Sequence, residues 1–93
     1  MDKLIKNLER YGLKVDTYQN NDVELFIYRP NDVYTSDNVI HKNGIVYNTT
    51  TNRIAINGNL RTDVVLRIIS AITNSTISEC DTKQEVFNYA EVV

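Results

Sequence analysis

The chain has 93 residues, a formal net charge of −2 and 42% hydrophobic residues. This length allows one domain over residues 1–93, and the composition is typical of a folded protein rather than a disordered one. The small acidic charge argues against a protein that binds nucleic acid mainly through phosphate contacts, because such proteins carry a basic surface. No apolar run is long enough for a signal peptide or a membrane span, so we expect a cytoplasmic protein.

The N-terminal segment predicts an amphipathic helix. Asp2 is suited to cap its start, and Gly12 is suited to end it in a left-handed conformation. The apolar residues that share one face of this helix are Leu4, Ile5, Leu8 and Tyr11. We expect this face to pack in the core.

Residues 13–18 and 23–28 alternate apolar and polar, which predicts a β-hairpin. A loop over residues 20–22 places the aliphatic residues of both strands on one face. The expected opposite pairs are Val15 with Ile27, Thr17 with Leu25, Tyr18 with Glu24, Asp16 with Phe26 and Lys14 with Tyr28. The alternative odd-length register is disfavoured because it sets Asp16 against Glu24, two like charges.

The strand is expected to end at the only proline, in residues 30–32, and the polar residues 34–38 are expected to be irregular. Asn43-Gly44 is the strongest turn signal in the chain and predicts a two-residue type I′ turn with positive φ at both positions. The expected pairs across this turn and a second one at Thr50-Thr51 are Lys42 with Ile45, His41 with Val46, Ile40 with Tyr47, Tyr47 with Ile54 and Ile45 with Ile56.

Residues 60–73 predict a second helix that packs on the sheet as the main core helix. Its apolar residues are Leu60, Val64, Val65, Ile68, Ile69, Ala71 and Ile72. Arg61 and Arg67 mark the exposed side, and a capping-box pattern from Asp81 predicts a short C-terminal helix. The expected fold is therefore α+β: an N-terminal helix, an antiparallel meander of four to five strands, the core helix and the short last helix.

The sequence carries no pattern typical of a catalytic, metal or cofactor site. His41 is the only histidine and Cys80 the only cysteine. Cys80 lies between Glu79 and Asp81, whose carboxylates disfavour the reactive thiolate. Glycine-rich phosphate loops, nucleophile elbows and paired-cysteine spacings are all missing from the sequence. We therefore expect a protein that is not an enzyme and takes no cofactor.

The aromatic residues are the unusual feature. Tyr11, Tyr47 and Tyr89 fit the predicted core. Three other aromatic side chains, Tyr18, Phe26 and Tyr28, stand on the hairpin face opposite the aliphatic residues. They are either buried under a second covering layer or exposed as a partner surface. In the second case the candidate partner-binding residues are Tyr18, Phe26 and Tyr28, with Asp16, Asp22 and Glu24 steering the encounter. If these aromatic residues are buried instead, the interface is expected on the loop of residues 34–38, with Tyr34 as its candidate residue, or on the C-terminal segment.

These features favour a protein that binds a larger host protein, alone or in a nucleoprotein complex, without binding nucleic acid or membrane directly; a homodimer stays open. The order of helix, strands, helix and helix resembles that of the small phage-encoded anti-CRISPR proteins that block Cas9, over most of the chain. This resemblance implies an inhibitor that occludes a surface of a host defence enzyme in the host cytoplasm. The alternative is a nucleic-acid-binding accessory protein whose aromatic sheet face stacks bases beside Lys14, with phosphate contacts from Arg53, Arg61 and Arg67.

Overall fold

The computed structural model describes residues 2–19 and 21–78, with side chains in the last helix up to Thr76. The elements are α1 (Asp2–Arg10), β1 (Lys14–Gln19), β2 (Val23–Ser36), β3 (Val39–Asn48), β4 (Arg53–Asn57) and α2 (Thr62–Ser78). The strands form one antiparallel sheet in the order β1-β2-β3-β4. The predicted α+β meander is confirmed with four strands, whereas the predicted C-terminal helix lies outside the described residues.

Helix α1 packs through Leu4 and Leu8, which are both buried. Gly12 follows the helix with a φ of 80°, as expected for the residue that ends it. The prediction that Tyr11 joins the core is wrong, because the helix ends before Tyr11 and the chain turns there. Leu13, the first residue after that turn, is buried in its place.

The hairpin of β1 and β2 has the predicted register, including the pairs Val15 with Ile27 and Tyr18 with Glu24. The predicted break at Pro30 is wrong, since β2 continues to Ser36. Four residues, 29–32, lie opposite the single residue Asn43 and form a large bulge. Proline is tolerated in a bulge because its missing N–H is not needed for the ladder there.

The turn between β2 and β3 lies at Asp37-Asn38, where φ is 53° and 63°. Positive φ at both residues is what a type I′ turn requires. The predictions of an irregular segment at 34–38 and of a turn at Asn43-Gly44 are therefore wrong. The observed turn sets Leu25 against Tyr47 and Ile27 against Ile45, so that two apolar strands bury one another.

Strand β4 pairs with β3 as predicted, with Tyr47 opposite Ile54 and Ile45 opposite Ile56. The predicted pair of Ile40 with Tyr47 is wrong, because Ile40 lies opposite Thr35. The β3–β4 turn is longer than predicted and covers residues 49–52, with Asn52 at a φ of 59°. The Oδ1 atom of Asn48 accepts hydrogen bonds from the backbone N–H groups of residues 50 and 51 at 2.9 and 3.0 Å.

Both helices pack on one face of the sheet, which we call the inner face. The buried residues of α2 include Val64, Ile68, Ala71 and Ile72, which confirms its prediction as the core helix. They meet Leu8 of α1 and the inner-face residues Ile27 and Ile45 in one apolar cluster. Among the described residues, neither helix has the length and apolar character needed to cross a membrane.

Candidate partner-binding surface on the outer sheet face and the hairpin arm

The outer face of the sheet, opposite the helices, carries the aromatic group that the sequence singled out. Phe26 and Tyr28 are each only 8% exposed, and their ring centroids lie 5.6 Å apart. Tyr18, on the edge strand β1, is exposed. Of the two interpretations, burial therefore holds for Phe26 and Tyr28, and exposure holds for Tyr18.

The burial of these two rings comes from outer-face residues of β3. Gly44 lies opposite Tyr28, and a Cβ atom placed on Gly44 would lie 3.0 Å from the Phe26 ring. The Nζ atom of Lys42 lies 5.0 Å from the centroid of the Tyr28 ring. It also donates a hydrogen bond of 2.8 Å to the Asp16 carboxylate on β1, which raises the pKa of Lys42. The Lys42 side chain thus lies across the sheet and covers Tyr28.

Two of the predicted steering carboxylates already have partners within the chain. Asp16 accepts the hydrogen bond from Lys42, and Asp22 accepts one of 3.1 Å from the side-chain amide of Asn48. Glu24 is half-buried beside Tyr18, its neighbour across the strands. Of these contacts, the ion pair between Lys42 and Asp16 offsets part of the negative charge that the hairpin face offers to a partner.

Beyond the bulge, β2 and β3 continue as a two-stranded ribbon, residues 33–42, which we call the arm. Strand β1 reaches only to Tyr28 along β2, and β4 reaches only to Gly44 along β3. In the described part of the chain, the arm is therefore paired with no further strand. It carries large exposed apolar side chains: Val33 (38%), Tyr34 (50%), Val39 (54%) and Ile40 (66%).

Each face of the arm carries exposed apolar side chains. Tyr34 stacks on His41 with ring centroids 5.0 Å apart and an interplanar angle of 17°, and Val39 shares their face. Val33 and Ile40 stand on the opposite face, which continues the outer face of the sheet. A shallow open depression there is lined by Tyr18, Phe26, Ile40, Lys42 and Asn57.

The structure thus divides the predicted partner-binding residues. Tyr18 and Phe26 meet in the depression, while Tyr34 lies on the other face of the arm. Sequence reasoning missed Val33, Val39 and Ile40, although β-branched and aromatic residues stand on both sides of Asp37-Asn38. That pattern of β-branched and aromatic residues around an Asp-Asn pair is a hairpin signal in its own right.

The base-stacking alternative needs exposed ring faces on the sheet. Phe26 and Tyr28 do not offer them, and the Lys42 ammonium group already lies over the Tyr28 ring. The Arg61 side chain donates hydrogen bonds to Asp63 at 2.9 and 2.5 Å.

Among the described residues, no cluster of three histidine, cysteine or acidic side chains could hold a metal ion.

Known proteins give no guide to this surface. No protein-family model matches the chain, and no curated protein or solved structure is significantly similar to it. The function is therefore inferred from the geometry of the chain itself.

Proposed function

We propose that the protein acts by binding another protein, and that the arm is the binding element. The observation that carries this proposal is the exposure of Val33, Tyr34, Val39 and Ile40 on one ten-residue ribbon. Single exposed apolar residues are common on protein surfaces, but four of them on one short ribbon, two on each face, favour an interaction site. Exposing such a group to water costs free energy, and burial against a partner removes that cost.

The positions and the low charge of the exposed side chains on the arm indicate the shape and the polarity of the partner surface. Tyr34 and Ile40 are the largest exposed anchors, on opposite faces of the ribbon. A flat partner surface covers only one face, so a groove that takes the ribbon edgewise suits the arm better. Because the exposed side chains are mostly uncharged, we expect affinity to come from apolar burial and to depend weakly on salt.

A narrower proposal is that the partner is a bacterial defence enzyme, such as a CRISPR effector, which the protein inhibits by occlusion. Its support is the resemblance in element order to the phage-encoded anti-CRISPR proteins. The observed order of helix, four strands and helix fits that resemblance as far as the described residues extend. An occluding inhibitor needs an anchoring surface and no chemistry of its own.

The first experiment compares capture of host proteins by three forms of the immobilised protein. The arm variant combines Tyr34→Ser with Ile40→Thr, and the control variant is Leu66→Thr, which changes an exposed apolar residue of α2 outside the arm. We expect a partner that binds the wild type and the control, with affinity for the arm variant lower by about 10-fold or more. Equal binding by all three forms would remove the arm from the proposal.

The narrower proposal has its own test. Purified Cas9 with its guide RNA is assayed for DNA cleavage with each of the three forms added. Inhibition by the wild type and the control, and its loss in the arm variant, supports occlusion of the effector. Undiminished cleavage rejects Cas9 as the partner and leaves the broader proposal to the capture experiment. Retention of the wild type on heparin at low salt would instead favour the nucleic-acid alternative.

A further inference from the structure

Strand β4 is an open sheet edge whose one charged residue, Arg53, stands at its first position. In the described part of the chain it pairs on one side only, with β3. Residues 54–56 contain no charge, no proline and no bulge. The opposite edge, β1, carries Lys14 and Asp16 at alternating positions. Charged residues on an edge strand discourage pairing with another chain, so β4 is the edge that is open to it.

Within the described residues, the core is also incompletely covered at β4. Ile54 and Ile56 lie on the inner face beside the buried residues Tyr47 and Ile45. They nevertheless remain 41% and 56% exposed. An apolar strip and a row of unpaired backbone groups therefore lie along the same edge.

We propose that β4 pairs antiparallel with β4 of a second copy of this chain, around a two-fold axis at Ala55. In this register Ile54 lies opposite Ile56 of the second copy, and the reverse pair repeats the contact. Arg53 lies opposite Asn57, so no like charges face each other. The four isoleucines form one cluster on the inner face of a continuous eight-stranded sheet, with the helices of both copies on the same side.

The neighbouring registers are poorer. Moving the two-fold axis to Ile54 sets Ile56 opposite Asn52 of the turn, and moving it to Ile56 sets Ile54 opposite Gly58. Both of those residues have positive φ, 59° and 82°, and lie outside the strand. A shift by a single residue brings the inner face of one copy beside the outer face of the other, which separates the isoleucines. The register at Ala55 alone pairs both isoleucines within β4.

The small area of this contact limits the affinity of the dimer. Two five-residue edges with four isoleucines bury less than the roughly 1,200 Å² of a standard-size interface. We therefore expect a weak, concentration-dependent dimer. The arm is a separate part of the sheet, so this dimer and the proposed binding of another protein succeed or fail independently.

Disulfide trapping tests the register directly. In a Cys80→Ser background, which removes the only native thiol, Ala55→Cys places two thiols at the axis. Directly opposite residues of antiparallel strands have Cα atoms about 4.5–5.5 Å apart, which suits a disulfide. The matched control is Arg53→Cys, whose two copies lie about 14 Å apart in the same register. We expect mild oxidation to trap Ala55→Cys as a dimer several-fold faster than Arg53→Cys.

Sedimentation of the unmodified chain over a range of concentrations provides the second measurement. We expect the mean mass to rise towards that of a dimer for the wild type and to stay monomeric for Ile56→Lys. Because Ile56 is largely exposed, this variant should keep the circular dichroism spectrum of the wild type. Equal trapping of both cysteine variants, or a wild type that stays monomeric, would overturn the proposal.

Discussion

Gly44 is required by close packing rather than by its backbone conformation. It lies in the middle of β3, and its φ is not among the positive values of this chain. A Cβ atom at this position would lie 2.9 Å from the Cβ atom of Tyr28 and closer still to the carbonyl oxygen of Ile27. Neither atom can move aside without moving β2. We expect Gly44→Ala to lower the free energy of unfolding by about 1–3 kcal/mol, measured by urea denaturation.

Gly12 provides the contrast, because it is required for its φ of 80° and has open space around it. Asparagine tolerates the left-handed conformation better than alanine does. We expect Gly12→Asn to be more stable than Gly12→Ala, whereas Gly44→Asn should be no more stable than Gly44→Ala. A Gly44→Ala variant that unfolds at the same urea concentration as the wild type would contradict the observed packing of β2 against β3.

At the scale of the elements, α2 stabilises the fold through one buried stripe. Ile68 is fully buried at the centre of this stripe, and Leu66, two residues earlier, is exposed. We expect Ile68→Ala to cost about 2–5 kcal/mol in free energy of unfolding, because it leaves a cavity between helix and sheet. The control Leu66→Ala should change stability by less than about 0.5 kcal/mol. Similar losses in both variants would mean that α2 is not packed on the sheet by this stripe.

The first turn of α2 has a pH-dependent contact. The hydrogen bond from Arg61 lowers the pKa of Asp63 to about 2 from 3.8. A lowered carboxyl pKa stabilises the folded state above pH 3.8, and this contribution is lost as the pH falls through about 2. Since both side chains are exposed, the effect on stability is small. NMR titration of the Asp63 carboxyl should give a midpoint near 2, and Arg61→Gln should move it back towards 3.8.

The sequence predicted a hairpin correctly where only one turn suited its strands, and incorrectly where two turns did. The β1–β2 register followed from alternation and one short loop, and it was confirmed. For the next hairpin, Asn43-Gly44 and Asp37-Asn38 both suit a type I′ turn, and only the second lets the apolar residues of β2 meet those of β3. That choice is made by tertiary pairing, which a local pattern does not contain.

The candidate surface was harder to predict for the same reason. With the turn placed at Asn43-Gly44, Lys42 lies beside the turn and cannot cover Tyr28. The observed turn carries Lys42 over the Tyr28 ring and sends residues 33–42 beyond the other strands. The exposure of Tyr34 and Ile40 is therefore a consequence of where the sheet ends, and no spacing of residues in the chain shows where that is.

At the scale of the whole molecule, the protein is a two-layer body with a projecting ribbon, and it measures 49 × 30 × 21 Å. The same two strands, β2 and β3, form the centre of the body and the whole of the arm. In the body they are covered by α2 and flanked by β1 and β4. In the arm, within the described residues, β2 and β3 pair only with each other. The arm and the body should therefore differ in local stability, although the same two strands form both.

Amide hydrogen exchange at low protein concentration can measure this difference within a single molecule. Body amides in residues 25–27 and 45–47 should exchange through global unfolding, because their strands are paired on both sides and buried. Hydrogen-bonded arm amides in residues 33–36 and 39–42 should exchange through local opening, on the order of 100-fold faster or more, because isolated two-stranded ribbons are marginally stable. Adding a protein that binds the arm should slow exchange there selectively. Arm amides as protected as those of the body in the free protein would mean that the arm is already covered, and that its exposed apolar residues are not a free binding surface.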